Sequence, residues 1–141
     1  SSVDQILKIA KKYKIDKIAA IESRGFVFGS VVAYKLKKPF IPLRKKNKLP
    51  AKTYSVNFKL EYGSSTIEVH KDSIKKNDNV LIIDDLIATG GTAEAAAKLI
   101  EISGGNVCSF IFVINLFDLK GTEKLINKGY KVENLLEFPG H

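Results

Sequence analysis

The residues best suited to chemistry lie in one segment, VLIIDDLIATGGT at 80–92. Its four leading apolar residues predict a buried strand over 80–83, with Asp84 and Asp85 at the carboxyl end. Ala88, Thr89, Gly90, Gly91 and Thr92 follow and open a helix. A helix N-terminus presents unpaired N–H groups and a partial positive charge. Two consecutive glycines let the backbone wrap closely around a tetrahedral anion, and the flanking threonines add hydroxyl donors. Together these residues can cradle one phosphate group. The two carboxylates cannot themselves hold that phosphate, because like charges repel. They suit the hydroxyls of a sugar that carries it, or a Mg²⁺ close by. The segment therefore reads as a binder of ribose 5-phosphate. It is not a Walker A loop, since GxxxxGK[ST] is absent, nor the Rossmann dinucleotide fingerprint. The plainer alternative is a tight Gly-Gly turn with aspartates that merely cap a helix. The order of strand, acid pair, threonine-flanked glycines and helix weighs against it.

Positioning such a loop requires a sheet, and the rest of the chain supplies one. Val3, Ile6, Leu7 and Ala10 share a helical face over 3–13, and Ser2 with Gln5 fits a capping box. KIAAI (17–21) predicts a buried strand, FVFGSVVAYKL (26–36) a helix and FIPLR (40–44) a strand. A lysine-rich loop containing Pro50 comes next. Tyr54, Val56, Phe58, Leu60 and Tyr62 then alternate with polar residues, as in a half-buried strand. GSS (63–65) reads as a turn and TIEVH (66–70) as the return strand of a hairpin. A helix over 92–102, with Ala93, Ala96, Ala97 and Ile100 on one face, is stopped by Gly104 and Gly105. A buried strand (107–114), a short helix (119–128) and a last strand (130–138) complete the chain. Buried strands alternating with helices predict an α/β fold with a parallel twisted sheet and right-handed crossovers. The hairpin is too polar on one face for the sheet centre and is expected to project as a flap over about 52–70. No repeat or linker divides residues 1–141, so they read as a single domain.

With 45% hydrophobic and 27% charged residues, the 141-residue chain has an ordinary globular composition and enough length for a real core. No apolar run approaches the ~20 residues of a membrane span. The polar first residues do not resemble a secretory signal. One cysteine, Cys108, precludes an internal disulfide, reads as a small core residue and fits a reducing cytoplasm. Net charge is +8. Lys35, Lys37, Lys38, Arg44, Lys45, Lys46 and Lys48 cluster without an intervening acid. No aromatic residues interleave with them as a nucleic-acid stacking platform requires, so an anionic small molecule fits better than a nucleic acid. A solvated basic face explains many of these lysines taken singly. His70 reads as structural, and His141 is terminal.

The segment at 80–92 resembles the phosphoribosyl pyrophosphate (PRPP) motif of type I phosphoribosyltransferases. The resemblance implies that Asp84 and Asp85 bind the ribose hydroxyls and that Ala88, Thr89, Gly90, Gly91 and Thr92 hold the 5-phosphate. Three further segments are similar to those of adenine phosphoribosyltransferases, in the same order. ESRGFVFG (22–29) is similar to the loop after the first core strand, where the family usually has Asp in place of Glu22. There Arg24 would face pyrophosphate, with Ser23 and Gly25 shaping the turn. PLRKKNKLP (42–50) is similar to the basic loop that neutralises pyrophosphate, through Arg44, Lys45 and Lys48. Such a loop can reach across a dimer interface, where Arg44 would serve the neighbouring subunit. LEYGSSTIEVHKD (60–72) is similar to the catalytic flap, with Glu61 as the acid–base residue on the purine and Tyr62 helping to close the site.

The family implies the type I phosphoribosyltransferase fold and transfer of the 5-phosphoribosyl group from PRPP to adenine, giving AMP and pyrophosphate. It implies Mg²⁺ held mainly through PRPP, with Asp84 and Asp85 near it and no protein ligand directly assigned, and a homodimer. Family members carry a further segment ahead of the first helix, supplying part of a hood over the purine. It is missing here, and Leu86 is the one part of the base pocket that can be assigned. The expectation is that the chain as given binds PRPP or the AMP phosphate better than it turns over adenine. Two rivals stand: another purine or orotate phosphoribosyltransferase, and a non-catalytic PRPP-binding regulator. The catalytic carboxylate of LEYG argues against the second.

Overall fold

A computed structural model of the chain describes residues 1–46, 52–60 and 63–140. Seven strands form one mixed sheet in the order β3-β4-β2-β1-β5-β6-β7. These are β1 (Lys17–Ile21), β2 (Phe40–Lys45), β3 (Thr53–Leu60), β4 (Gly63–His70), β5 (Asn79–Ile87), β6 (Asn106–Leu116) and β7 (Val132–Phe138). The five strands β2, β1, β5, β6 and β7 run parallel. The β3–β4 hairpin is antiparallel and joins β2 through the pairs Arg44 with Glu68 and Lys45 with Ile67.

β1, β5 and β6 lie inside the sheet because both of their faces are apolar, and successive residues serve opposite cores, whereas β7 forms one edge. Ala19, Ile21 and Ile82 face one core with the helix α3 (Gly91–Ile102); Ile18, Leu81 and Ile83 face the other with α1 (Ser2–Ala10) and α2 (Gly25–Leu36). α2 lies close on β1 because Gly29 has no side chain: a Cβ there would come within 2.5 Å of Ala20 Cβ. The α3 face carries Ala93, Ala96, Ala97 and Ile100, all buried, as its spacing predicts. Gly104, at φ +98, turns the chain after that helix. A short helix α4 (Gly121–Asn127) connects β6 to β7.

Four local expectations are corrected. The N-cap of α1 is Ser1, whose hydroxyl accepts from the Asp4 N–H, so the proposed Ser2–Gln5 box is one residue out of phase. Residues 63–65 are strand rather than turn: Gly63, Ser64 and Ser65 pair with Leu60, Lys59 and Phe58. Leu60 is 49% exposed although the alternation placed it on the apolar face. The hairpin extends the sheet edge rather than simply projecting, because Tyr54, Val56 and Phe58 pack on the α3-side core. Glu61 and Tyr62, and residues 47–51 with Lys48 and Pro50, lie outside the described residues, as does His141.

Candidate functional site

Two crossovers fix where the site forms. β1 leads through residues 22–24 into α2 on one face of the sheet, and β5 leads through 88–90 into α3 on the other. β1 and β5 are neighbours, so their connections diverge and leave a crevice at their carboxyl ends. Ligands of open α/β sheets bind at such a switch point. The crevice here is about 260 Å³, lined by residues 21–24, residues 84–93 and Phe112.

β5 runs further than the apolar pattern predicts. It continues through Asp84, Asp85, Leu86 and Ile87, paired to β6 from Asp84–Phe112 to Ile87–Asn115. Its β1 partner stops at Ile21, so the acid pair emerges on the open side. Asp84 is partly buried, and its Oδ1 accepts the Asp85 N–H at 2.8 Å. Burial, then the neighbouring Asp85 charge, push its pKa up to about 7 against that hydrogen bond and the Arg24 charge. Gly25 is required beside it: a Cβ there would stand 2.9 Å from Asp84 Oδ1 and 3.0 Å from Ile83 O. Arg24 reaches over from the opposite loop, with Nε 3.2 Å from Asp85 Oδ2, while its side chain remains 80% exposed. The Glu22–Ser23 peptide between β1 and Arg24 is cis.

Gly90 caps α3 at φ +89, a conformation that favours glycine, so the backbone can turn sharply into the helix. Thr89 is exposed, Thr92 half-buried, and both line the crevice. Arg44 lies to one side at the end of β2. Its Nε donates to Glu22 Oε1 at 3.1 Å, and its guanidinium lies 5.9 Å from the Phe26 ring centre. The Lys45 N–H donates to the same Glu22 oxygen at 3.1 Å.

The structure thus brings Arg24, Asp84, Asp85, Leu86 and residues 88–92 to one crevice. It sets Arg44 and Lys45 beside it, held by Glu22, and does not bring them into its lining. Lys48, Glu61 and Tyr62 fall outside the described residues. Phe112 in the lining carried no sequence signal, because a phenylalanine in an apolar strand looks like core. The anchoring role of Glu22 carried no sequence signal either, because its partners Arg44 and Lys45 lie on the next strand, 22 and 23 residues along the chain.

The model of the phosphoribosyl transferase domain matches residues 3–138. The chain therefore belongs to the phosphoribosyl transferase family. An adenine phosphoribosyltransferase of Pelagibacter ubique is 71% identical over 139 residues, which is 99% of this chain and 79% of that protein. The crystal structure of adenine phosphoribosyltransferase from Thermoanaerobacter pseudethanolicus is 47% identical, with a TM-score of 0.93 over 97% of this chain and 78% of its own. The Saccharomyces cerevisiae enzyme, complexed with an imino-altritol bisphosphate and adenine, is 40% identical, with a TM-score of 0.86 over 95% and 77%. The fold is the type I phosphoribosyltransferase fold of those structures, with the α/β architecture expected and a mixed rather than wholly parallel sheet.

Proposed function

We infer that this chain transfers the 5-phosphoribosyl group from PRPP to adenine, giving AMP and pyrophosphate. The observation that carries the reading is the acid pair Asp84–Asp85 and the glycine loop 88–92 meeting at the β1/β5 switch point. Adenine as the acceptor is supported by the adenine phosphoribosyltransferases to which the chain is similar.

In this reading the loop 88–92 takes the 5-phosphate through backbone N–H groups and the hydroxyls of Thr89 and Thr92. Asp84 and Asp85 accept hydrogen bonds from the ribose hydroxyls and fix the sugar, which supplies the orientation part of catalysis. Arg24, held near the crevice by Asp85 yet largely exposed, can turn toward the leaving pyrophosphate. Arg44 and Lys45 approach from β2, and Lys48, three residues further along the sequence, adds a third cation in this reading. Pre-placed cations stabilise the charge that develops there. Leu86 contributes to the base pocket. Glu61 handles the purine proton, and Tyr62 and the hairpin exclude water.

Two adjacent carboxylates are too few to cage a cation, and no cluster of three or more His, Cys, Asp or Glu occurs among the described residues. That donor set fits Mg²⁺, which keeps several waters and is held largely by substrate phosphates. When bound, it would neutralise charge on the pyrophosphate, with Asp84 and Asp85 beside it.

Val27, Val31 and Tyr34 form an exposed apolar row along α2, at 66%, 37% and 82%. This row supports a homodimer in which a second copy covers it. Cys108 is a free, half-buried thiol raised to about 11 chiefly by burial, consistent with an inert residue in a reducing cytoplasm. No helix among the described residues is long and apolar enough to cross a membrane.

Product analysis tests the function. Incubation with PRPP, Mg²⁺ and equal amounts of adenine, hypoxanthine, guanine, xanthine and orotate should give AMP and pyrophosphate. A different nucleotide as main product would overturn the base assignment, and no nucleotide at all would overturn the activity.

A further inference from the structure

The helix α4 contributes nothing to the crevice lining, yet it lies directly behind the glycine loop. Gly121, buried at its start, donates its N–H to Ala88 O at 2.9 Å. A Cβ on Gly121 would collide with that same oxygen and would stand 2.8 Å from Gly90 N and 2.9 Å from Ile87 Cγ1. Reciprocally, a Cβ on Gly90 would stand 3.1 Å from Gly121 Cα and O. Two glycines from distant segments therefore pack backbone against backbone. The chain reaches this contact through Lys120, at φ +63, a conformation that L side chains rarely adopt.

α4 is pinned from two sides. Thr122 Oγ1 donates to Asn115 Oδ1 on β6 at 3.1 Å and accepts from Asn134 Nδ2 on β7 at 3.2 Å. Lys124 and Lys128 reach Glu94, in the first turn of α3, at 3.2 and 2.7 Å. Leu125 is fully buried in the core. The helix thus ties two strands, the glycine loop and α3 into one block.

We propose that Gly121 is a positioning residue for the 5-phosphate. In a trans peptide the C=O and the following N–H point in opposite directions. By holding the Ala88 carbonyl from behind, the Gly121 N–H turns the Thr89 N–H toward the crevice. The absence of a side chain at 121 lets the loop sit deep enough for Gly90 to follow. The inference rests on reading 88–92 as the phosphate cradle.

The test compares AMP affinity by calorimetry with the KM values for PRPP and adenine. Gly121→Ala should weaken AMP binding and raise the KM for PRPP about tenfold, the scale of one lost charge-assisted hydrogen bond, with the adenine KM changed less than about twofold. A folded variant with unchanged AMP affinity, or with both KM values raised alike, overturns the proposal. If Gly121→Ala does not fold, Thr122→Val decides: it frees α4 without a steric overlap and should weaken AMP binding about threefold. No change there overturns the proposal. Replacing Thr89 and Thr92 together by Val tests the cradle itself. Unchanged AMP affinity in that variant would remove the cradle reading, and the inference with it, whereas a loss there with none in Gly121→Ala removes the inference alone.

Discussion

Replacing Asp84 by Asn should make the ligand-free protein more stable and the liganded complex weaker. Asp84 has a pKa near 7 because burial and the Asp85 charge disfavour its ionised form. An unfolded chain would ionise it near the ordinary 3.8. The folded state therefore holds a proton between about pH 4 and 7 that the unfolded state has lost. A raised folded-state pKa contributes stability below the unfolded value, and that contribution disappears as pH rises through 7. Three pKa units correspond to a ceiling of about 4 kcal/mol; solvent in the open crevice and coupling to Asp85 reduce this to roughly 2. Asn keeps an oxygen for the Asp85 N–H and has no charge to bury. In urea titrations, Asp84→Asn should match the wild type near pH 4 and exceed it by about 2 kcal/mol at pH 8, or roughly 5 °C in Tm. AMP affinity should fall about tenfold to a hundredfold, because the ribose hydroxyls lose a charged acceptor. Parallel stability curves for the two proteins across this pH range would refute the reasoning. So would a variant less stable at pH 8.

Three other outcomes are expected. Gly25→Ala inserts a methyl group 2.9 Å from Asp84 Oδ1; overpacking of this kind costs about 1–3 kcal/mol, which denaturation should show together with weaker AMP binding. Arg44→Ala should weaken pyrophosphate inhibition about tenfold while leaving AMP affinity within about twofold, because Arg44 lies beside the crevice and not in it. Glu61→Ala should lower kcat by about 10²–10⁴-fold if it carries the purine proton; a loss under about threefold in steady-state kinetics would remove that role.

The candidate site was legible where residue type alone restricts chemistry. Asp84, Asp85 and the Thr-Gly-Gly-Thr run can serve few purposes together, and Arg24 stood in a short loop after a buried strand. The parallel core was legible because its strands are apolar on both faces, which leaves little ambiguity about their depth. Prediction failed where long-range pairing overrode local pattern. β5 continues past the acid pair because β6 still pairs with Asp84, Leu86 and Ile87, a fact absent from the local hydropathy. Gly63, Ser64 and Ser65 look like a turn, yet β3 holds them in register. The role of Gly121 depends on a contact with Ala88 and Gly90 that no local spacing signals. Glu22 could be placed in the correct loop, but only the structure joins it to Arg44 and the Lys45 N–H.

The most direct test of the account is a crystal structure of the chain with AMP. The phosphate should sit against the N–H groups of residues 88–92, with the ribose hydroxyls on Asp84 and Asp85 and the base beside Leu86. A phosphate seated instead on Arg24 and Arg44, with the glycine loop empty, would contradict it.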